Sequence, residues 1–295
     1  MSLDDLLLRV YCWVDDALKH LRLHGPRSRG PDPILADAEV IAIELVGEFL
    51  GLSEDEAIFE HLRRHHAADF PRLRLVRRTT FARQAANLWR VKQALHRELA
   101  ARLQPVDQCW MADSVPLYAC KFGRAKHSRL FRGEATYGYD HAQRQTCYGF
   151  RLHTRVSRDG VIRAFEVAPA NLSDQAALPA LGLPVGSQGI GDRNYWCPEL
   201  RAELAAGGVR FESAFRNKKN DPDPGRSTAL SKGRWLIETV QGQLAGRYEI
   251  KVVRARDVWH LVHRVTRKVL SHTVAIMLCV RSWLPPLQFS KLLAG

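Results

Sequence analysis

Apolar positions recur at helical spacing through the first hundred residues. Leu3, Leu6, Leu7, Val10, Val14, Leu18 and Leu21 share one face of a helix expected over residues 3–23. A Gly-, Pro- and Arg-rich loop follows, His24 to Pro33. Asp37 then caps a second helix ending near Gly51, and Ser53-Glu-Asp-Glu56 reads as a capping box opening a third, through about His65. Phe70-Pro71 turns the chain. Thr79 or Thr80 opens a long helix to about Leu103, with Phe81, Ala85, Leu88, Leu95 and Leu99 on one side and Arg83, Arg90, Lys92 and Arg97 decorating it. Short helices with tight turns and a basic last helix fit a helix-turn-helix-like DNA reader, and equally a plain bundle with a solvated charged face. His65 and His66, adjacent on a helix, point apart and read as surface residues rather than metal ligands.

Near residue 106 the pattern changes from helical to β. An apolar run, Cys109 to Ala112, ends on Asp113, and Ser114 and Pro116 stop the strand pattern. Residues 117–135, with Lys121, Arg124, Lys126, Arg129 and Arg132, read as a basic loop, and Tyr137-Gly-Tyr139 as a turn before a surface Asp140. Cys147–Val156 and Val161–Val167 are expected as an antiparallel pair about an Asp159-Gly160 turn. Asp174 caps a helix, Gln175 to Leu181, and Ser187–Asp192 is a second short strand ending on an acid. Pro198 starts a helix that Gly207-Gly208 stops, Val209–Phe215 is a further strand, and residues 216–226 are a polar loop. Ser227 or Ser231 begins a helix to about Leu244. Residues 248–295 are basic and helical, with Lys251, Arg254, Arg256, Arg264, Arg267 and Lys268 beside an apolar stripe of Leu261, Val265, Val269, Val274 and Leu278. This order predicts an α/β chain with a mixed sheet and flanking helices, an all-helical N-terminal domain before it and C-terminal helices after it, a pattern compatible with a ribonuclease H-like core. The expected boundaries are 1–105, 106–250 and 251–295.

Composition narrows the function. The chain has 295 residues, 46% apolar and 25% charged, enough for a globular protein of two domains, or of one domain with helical additions. A formal charge of +13 points to a polyanionic partner, most often nucleic acid; the bland alternative is a basic scaffold. No two of the six cysteines form a Cys-x-x-Cys pair, so they read as reduced thiols rather than a zinc frame. The N-terminus is acidic where a signal peptide is basic, and the best apolar run, Thr273 to Val280, is too short to span a bilayer. A cytoplasmic protein without membrane contact is expected.

Three acids attract attention: Asp113 and Asp192 at strand ends, and Glu238 inside the helical Lys232-Gly-Arg-Trp-Leu-Ile-Glu238. Together they form a candidate divalent-metal site. Two divalent ions about 3.5–4 Å apart can activate a water or 3′-hydroxyl and stabilise the leaving oxygen of a phosphodiester. Magnesium takes oxygen ligands and retains waters, so carboxylates are natural and few are needed. Arg234 lies one turn before Glu238 and Gln241 nearly one turn after, while Ile237, Val240 and Leu244 face the core. Arg234 is therefore a candidate phosphate ligand or a partner that orients Glu238; the plain alternative is a surface ion pair. Asp140, Asp159, Glu166 and Asp174 compete with the triad; Asp159 is explained by its turn and Asp174 by its cap.

An ordered set of stretches runs through most of the chain: Asp37-Ala-Glu-Val-Ile-Ala-Ile-Glu-Leu-Val-Gly-Glu-Phe49, Arg78-Thr-Thr-Phe-Ala-Arg83, Asp113-Ser-Val-Pro116, Tyr148-Gly-Phe-Arg-Leu-His153, Ala170-Asn-Leu-Ser-Asp174, Gly191-Asp-Arg-Asn-Tyr195 and Ile237-Glu-Thr-Val240. In these the chain resembles bacterial insertion-sequence transposases of the DDE type, most closely the insertion-sequence nine-eight-two family. The resemblance implies a ribonuclease H-like catalytic domain with Asp113, Asp192 and Glu238 as catalytic residues and metal ligands. It implies Mg2+, with Mn2+ able to substitute. It also implies cleavage of double-stranded DNA at terminal inverted repeats, transfer of the 3′ ends to target DNA, a homodimer on DNA, and a place at the bacterial nucleoid. Related transposases carry a Tyr, an Arg and a Lys with the Glu; here Arg234 fits the Arg, but Ser231 and Ala245 stand at the other two positions. Gln241 and Lys251 are offered as substitutes, with Arg254 as a further DNA contact. The competing readings are a ribonuclease H-like nuclease without strand transfer and a catalytically silent DNA-binding protein.

Overall fold

The computed structural model describes residues 1–26, 32–105 and 107–293, so residues 27–31 of the expected His24–Pro33 loop, and residue 106 at the expected boundary, lie outside the described residues. The chain divides into two units, Met1–Arg102 with Leu244–Gly295, and Leu103–Gln243. The C-terminal stretch, expected as a segment of its own from residue 251, thus shares a unit with the N-terminal helices. The second division falls inside a helix.

The first unit is helical: α1 (Leu3–Leu21), α2 (Asp37–Phe49), α3 (Asp55–His65), α4 (Arg78–Asn87), α5 (Trp89–Arg102) and the 24-residue α11 (Val258–Arg281). The single long helix expected to about Leu103 is broken at Leu88, which separates α4 from α5. Nor does Ser53 cap α3: its hydroxyl donates to Glu249 Oε2 (2.7 Å). Helix α2 is buried nearly all round although it carries Glu44 and Glu48, both fully buried. A buried charge is tolerated only when paired. Lys92 Nζ on α5 donates to Glu44 (2.5 Å), Lys268 Nζ to Glu48 (2.8 Å), and Arg267 on α11 bridges Glu48 (2.6 Å), Glu44 (3.1 Å) and Asp55 (2.5 Å). Arg267 and Arg264 hold the Asp55 carboxyl well below its usual range against the pull of burial. Lys92, Arg267 and Lys268, expected on charged faces, are therefore interior ties between α2, α5 and α11.

The second unit is a mixed sheet. Its strands are β1 (Cys109–Cys120), β2 (Thr136–Asp140), β3 (Gln145–Ser157), β4 (Ile162–Pro169), β5 (Gln188–Gly191) and β6 (Arg210–Ser213). Strand β3 runs antiparallel to β1 from Trp110↔Ser157 to Cys120↔Tyr148, and its other edge takes β2 and β4 end to end. Strand β5 is parallel to β1 and β6 parallel to β5. The Asp159-Gly160 turn is present, with Gly160 at φ +82. Helices α6 (Phe122–Ala125), α7 (Asp174–Ala177), α8 (Pro198–Ala206), α9 (Pro224–Gly233) and α10 (Trp235–Gly246) complete the set.

Three local expectations change. Strand β1 does not stop at Asp113 but continues through Pro116 to Cys120. Its pairing with β5 ends at Met111, so beyond that point this side of β1 is an open edge, where a proline lacking an N–H is tolerated. The Tyr137-Gly-Tyr139 stretch is strand β2, and Asp140 at its end is buried, accepting from Tyr118 Oη and from the Ala142 N–H (2.9 Å). The helix expected from Ser227 or Ser231 is two helices meeting at Arg234.

The buried ion network yields a direct prediction. Glu48→Ala leaves Arg267 and Lys268 without their shared carboxylate, and urea unfolding should show a loss of about 3–5 kcal/mol. A loss under about 1 kcal/mol would contradict the role given to this network.

Candidate active site

The sequence around Trp110 sets the geometry. Trp110 Nε1 donates to Ser187 Oγ (2.8 Å), and the indole lies across Gly189, where any Cβ would sit 2.3 Å from the ring. The ring also stacks on Phe211. These contacts fix β1 against β5 in the register Trp110↔Gly189, Met111↔Ile190. Two residues further, the neighbouring chains reach Asp113 and Asp192, at the carboxyl end of the parallel pair. They lie two residues beyond the last paired rung, Met111↔Ile190, close enough that the Asp192 charge helps to raise the Asp113 carboxyl. Open α/β sheets place ligands at this end of parallel strands.

Asp113 is held on both oxygens: Oδ1 accepts the Ser114 N–H (2.8 Å) and Oδ2 accepts from Arg234 (2.8 Å). Asp192 caps the turn Arg193–Tyr195, accepting the Asn194 N–H (2.9 Å) and side-chain amide (3.0 Å). Burial pushes the Asp113 carboxyl up to about 6; Arg234 opposes this, and Asp192 and Asp174 add to it. Asp192 is likewise raised by burial and by Asp174, against Arg234. One guanidinium thus faces a group of carboxylates that repel one another.

Asp174 was missed in the sequence. Ser173, not Asp174, is the N-cap of α7, accepting from the Ala176 N–H (3.2 Å). The Asp174 carboxylate is free to turn inward, where it accepts from Ser114 Oγ (2.6 Å) and lies 3.4 Å from His153 Nδ1 and 3.8 Å from Arg151. Those hydrogen bonds and charges hold it low despite burial. Arg151 also donates to Ser114 Oγ (2.8 Å) and to the Tyr139 carbonyl (2.6 Å). Ser114 therefore links Asp174 to Asp113: its hydroxyl binds the first and its N–H the second. Tyr195, buried beneath, is raised well above its usual range by burial and by the three acids. The signal was available, since the Ser immediately before this Asp is an equally good cap and leaves the acid free for another role.

Glu238 stands differently. It is exposed on α10, one turn after Arg234, and among the described residues no group of metal-ligating atoms within 4.8 Å of one another contains Asp113, Asp192 and Glu238 together. The structure brings Asp113, Asp192, Asp174 and Arg234 together, and Glu238 stands outside that group, one turn from Arg234. Gln241, also on α10, donates to Thr154 Oγ1 (2.9 Å), opposite Asp113 on β3. Arg254 is exposed and paired with Glu54, in the other unit from Arg234 and Gln241, as is Lys251.

The donors at Asp113 and Asp192 are hard oxygens on adjoining carboxylates whose negative charge is only partly offset by Arg234. That set fits a divalent cation of the magnesium class.

With EDTA present, the raised Asp113 carboxyl gives stability that is full below its ordinary value of 3.8 and lost as pH rises through about 6. Asp113→Asn removes that loss, so its melting temperature relative to wild type should rise between pH 4 and pH 7, by up to about 3 kcal/mol of stability. A pH-independent difference would contradict the assignment.

No curated protein matches the chain. Among solved structures it is similar to a piggyBac transposase in a synaptic complex with hairpin DNA, at 7% identity and a TM-score of 0.49, covering 98% of this chain and 76% of that one. At that level the likeness says nothing of activity. Residues 104–258, more than half of the chain, match a family described as the transposase DDE domain. The matched span holds Asp113, Asp192 and Glu238, and the chain belongs to the DDE transposase family.

Proposed function

We propose that the protein is a DNA transposase of an insertion sequence, most like the insertion-sequence nine-eight-two family, that cuts at terminal inverted repeats and transfers the 3′ ends into target DNA. The observation that carries this reading is the β1–β5 register, which sets Asp113 beside Asp192 in a chain of the DDE family. The strand arrangement, an antiparallel extension on one side of β1 and two parallel strands on the other, supports a ribonuclease H-like core.

In this reading Asp113, Asp192 and Glu238 hold Mg2+, with Mn2+ able to replace it. Ions held there would supply activation of the attacking water or 3′-hydroxyl and stabilisation of the leaving oxygen. Arg234 favours the ionised form of Asp113 and orients it, and its remaining terminal N–H donors are proposed to meet a phosphate. Ser114, Arg151 and Asp174 brace Asp113 from the other side of β1. Glu238, on a separate helix with an exposed carboxylate, supplies the third ligand from the open side of the site. The net charge of +13 supports duplex DNA as partner, and Gln241, Lys251 and Arg254 are proposed contacts with it. Arg254 makes an exposed ion pair, which is weak and easily exchanged for a phosphate. The helical N-terminal residues are proposed as a helix-turn-helix-like DNA reader, and pairing of two element ends implies a homodimer on DNA.

The test uses duplex DNA from both flanks of the gene with Mg2+ or Mn2+, mapping nicks and joined products to single nucleotides. Wild type should nick at matched inverted ends and join 3′ ends to a second duplex. Asp192→Asn, Asp113→Asn and Glu238→Gln should each lower cleavage by about 10²–10³-fold or more while DNA binding remains. Full cleavage by any variant would remove that residue from the site. Cutting without joining would instead identify a nuclease.

A further inference from the structure

The helical unit contains a second convergence of possible ligands, remote in sequence from the acids above. His66, expected at the surface, sits at the C-cap of α3, where the helix has ended (φ −127, ψ 29), and its side chain is only 8% exposed. Its Nδ1 lies 3.4 Å from Asp4 Oδ1, in the first turn of α1, and 3.3 Å from Asp69 Oδ2. The three ligand atoms all lie within 4.8 Å of one another.

Hydrogen bonding accounts poorly for this arrangement. A single ring nitrogen has one proton to give: Nδ1 makes a long hydrogen bond with Asp69 Oδ2 (3.3 Å), which leaves the converging Asp4 Oδ1 at 3.4 Å unexplained. Among the described residues no Lys or Arg ion pair with Asp4 or Asp69 accompanies them. The contrast is the buried group Glu44, Asp55 and His263, whose acids are already tied to Lys92, Arg264 and Arg267. The separations around His66 have another meaning. Zinc bonds of about 2.0–2.1 Å to nitrogen and oxygen, set at tetrahedral angles, hold ligand atoms about 3.3–3.4 Å apart. Both nitrogen–oxygen separations match that tetrahedral edge. Burial fixes the imidazole, while Asp4 and Asp69 stay open to solvent, as an entry path requires.

We propose that Asp4, His66 Nδ1 and Asp69 form a binding site for a borderline divalent transition ion of the zinc class, separate from the proposed Asp113–Asp192 site. One imidazole and two carboxylates suit zinc or cobalt better than magnesium, which takes oxygen ligands. The ion ties the first turn of α1 to the end of α3, within one unit. The nearby His61 and His65, one turn apart on α3 with ring centroids 4.8 Å apart, are the rival ligands that the test must separate.

The test uses the full-length, untagged protein stripped with EDTA and carrying Asp113→Asn and Asp192→Asn. Zn2+ is titrated by calorimetry, and Co2+ is added as a spectroscopic probe of tetrahedral coordination. One equivalent of Zn2+ should bind, with Co2+ giving the intense visible bands of a tetrahedral site. Asp69→Asn and Asp4→Asn, both exposed and not expected to disturb folding, should each weaken Zn2+ by more than about tenfold. His66→Ala should abolish binding, and His61→Gln should leave it unchanged. Zn2+ binding that survives both Asp substitutions, or is lost with His61→Gln instead, overturns the proposal. So does the absence of Zn2+ binding once the Asp113–Asp192 site is removed. Failure of DNA cleavage in the wild type would bear only on the transposase reading, since this assay reads no activity.

Discussion

The parallel register between β1 and β5 is the constraint on which the candidate site depends. Two ionised carboxylates have no reason to approach each other; their repulsion must be overcome by something stronger. Here that is the hydrogen-bonded pairing of two strands, fixed by Trp110 lying across Gly189 and bonded to Ser187. Once the register is set, Asp113 and Asp192 are neighbours whatever their charges prefer. Arg234 then offsets part of the repulsion, and the break between α9 and α10 places it where it reaches Asp113. Burial, with the repulsion that remains, holds both carboxyls above their usual range. Perturbed groups of this kind, gathered at the carboxyl end of parallel strands, make this group the candidate functional site.

The helical unit solves an opposite problem. Its acids are inside, and basic side chains follow them in. Glu44 and Glu48 on α2 receive Lys92, Arg267 and Lys268 with hydrogen bonds on their oxygens. Such pairing adds little net stability over an apolar core, but removing one partner is expensive, so the network fixes which helices pack together. It also means that part of the positive charge counted in the sequence does not face solvent. The charge argument for a nucleic-acid partner rests on the residues that remain exposed, Arg254 among them.

What could be read in advance follows from how local each signal is. Helix α1, the β3–β4 hairpin and helix α8 came from periodicity and turn residues that act within a few positions. Asp113 and Asp192 drew attention because each ends a short strand pattern, Cys109–Ala112 and Ser187–Gly191. The continuation of β1 through Pro116 was not, because it depends on β5 leaving that edge unpaired. The inward turn of Lys92, Arg267 and Lys268 was hidden because a basic residue on a helix looks the same whether its partner is water or a buried acid. Glu44 and Glu48, one turn apart in an otherwise apolar helix, were the available clue. His66 beside Asp4 depends on a contact between distant segments, which no local pattern carries. Asp174 was a different failure: a sufficient local explanation, the helix cap, concealed its place in the site.

The central claim is that Asp113 and Asp192 are held side by side to bind a divalent ion. Anomalous X-ray scattering from crystals soaked in Mn2+ tests it most directly, because it locates the ion without requiring a DNA substrate. The account predicts an anomalous peak within ligand distance of both carboxylates, about 2.0–2.2 Å from their oxygens. Manganese bound elsewhere, with Asp113 still tied to Arg234 and Asp192 to Asn194, would contradict it.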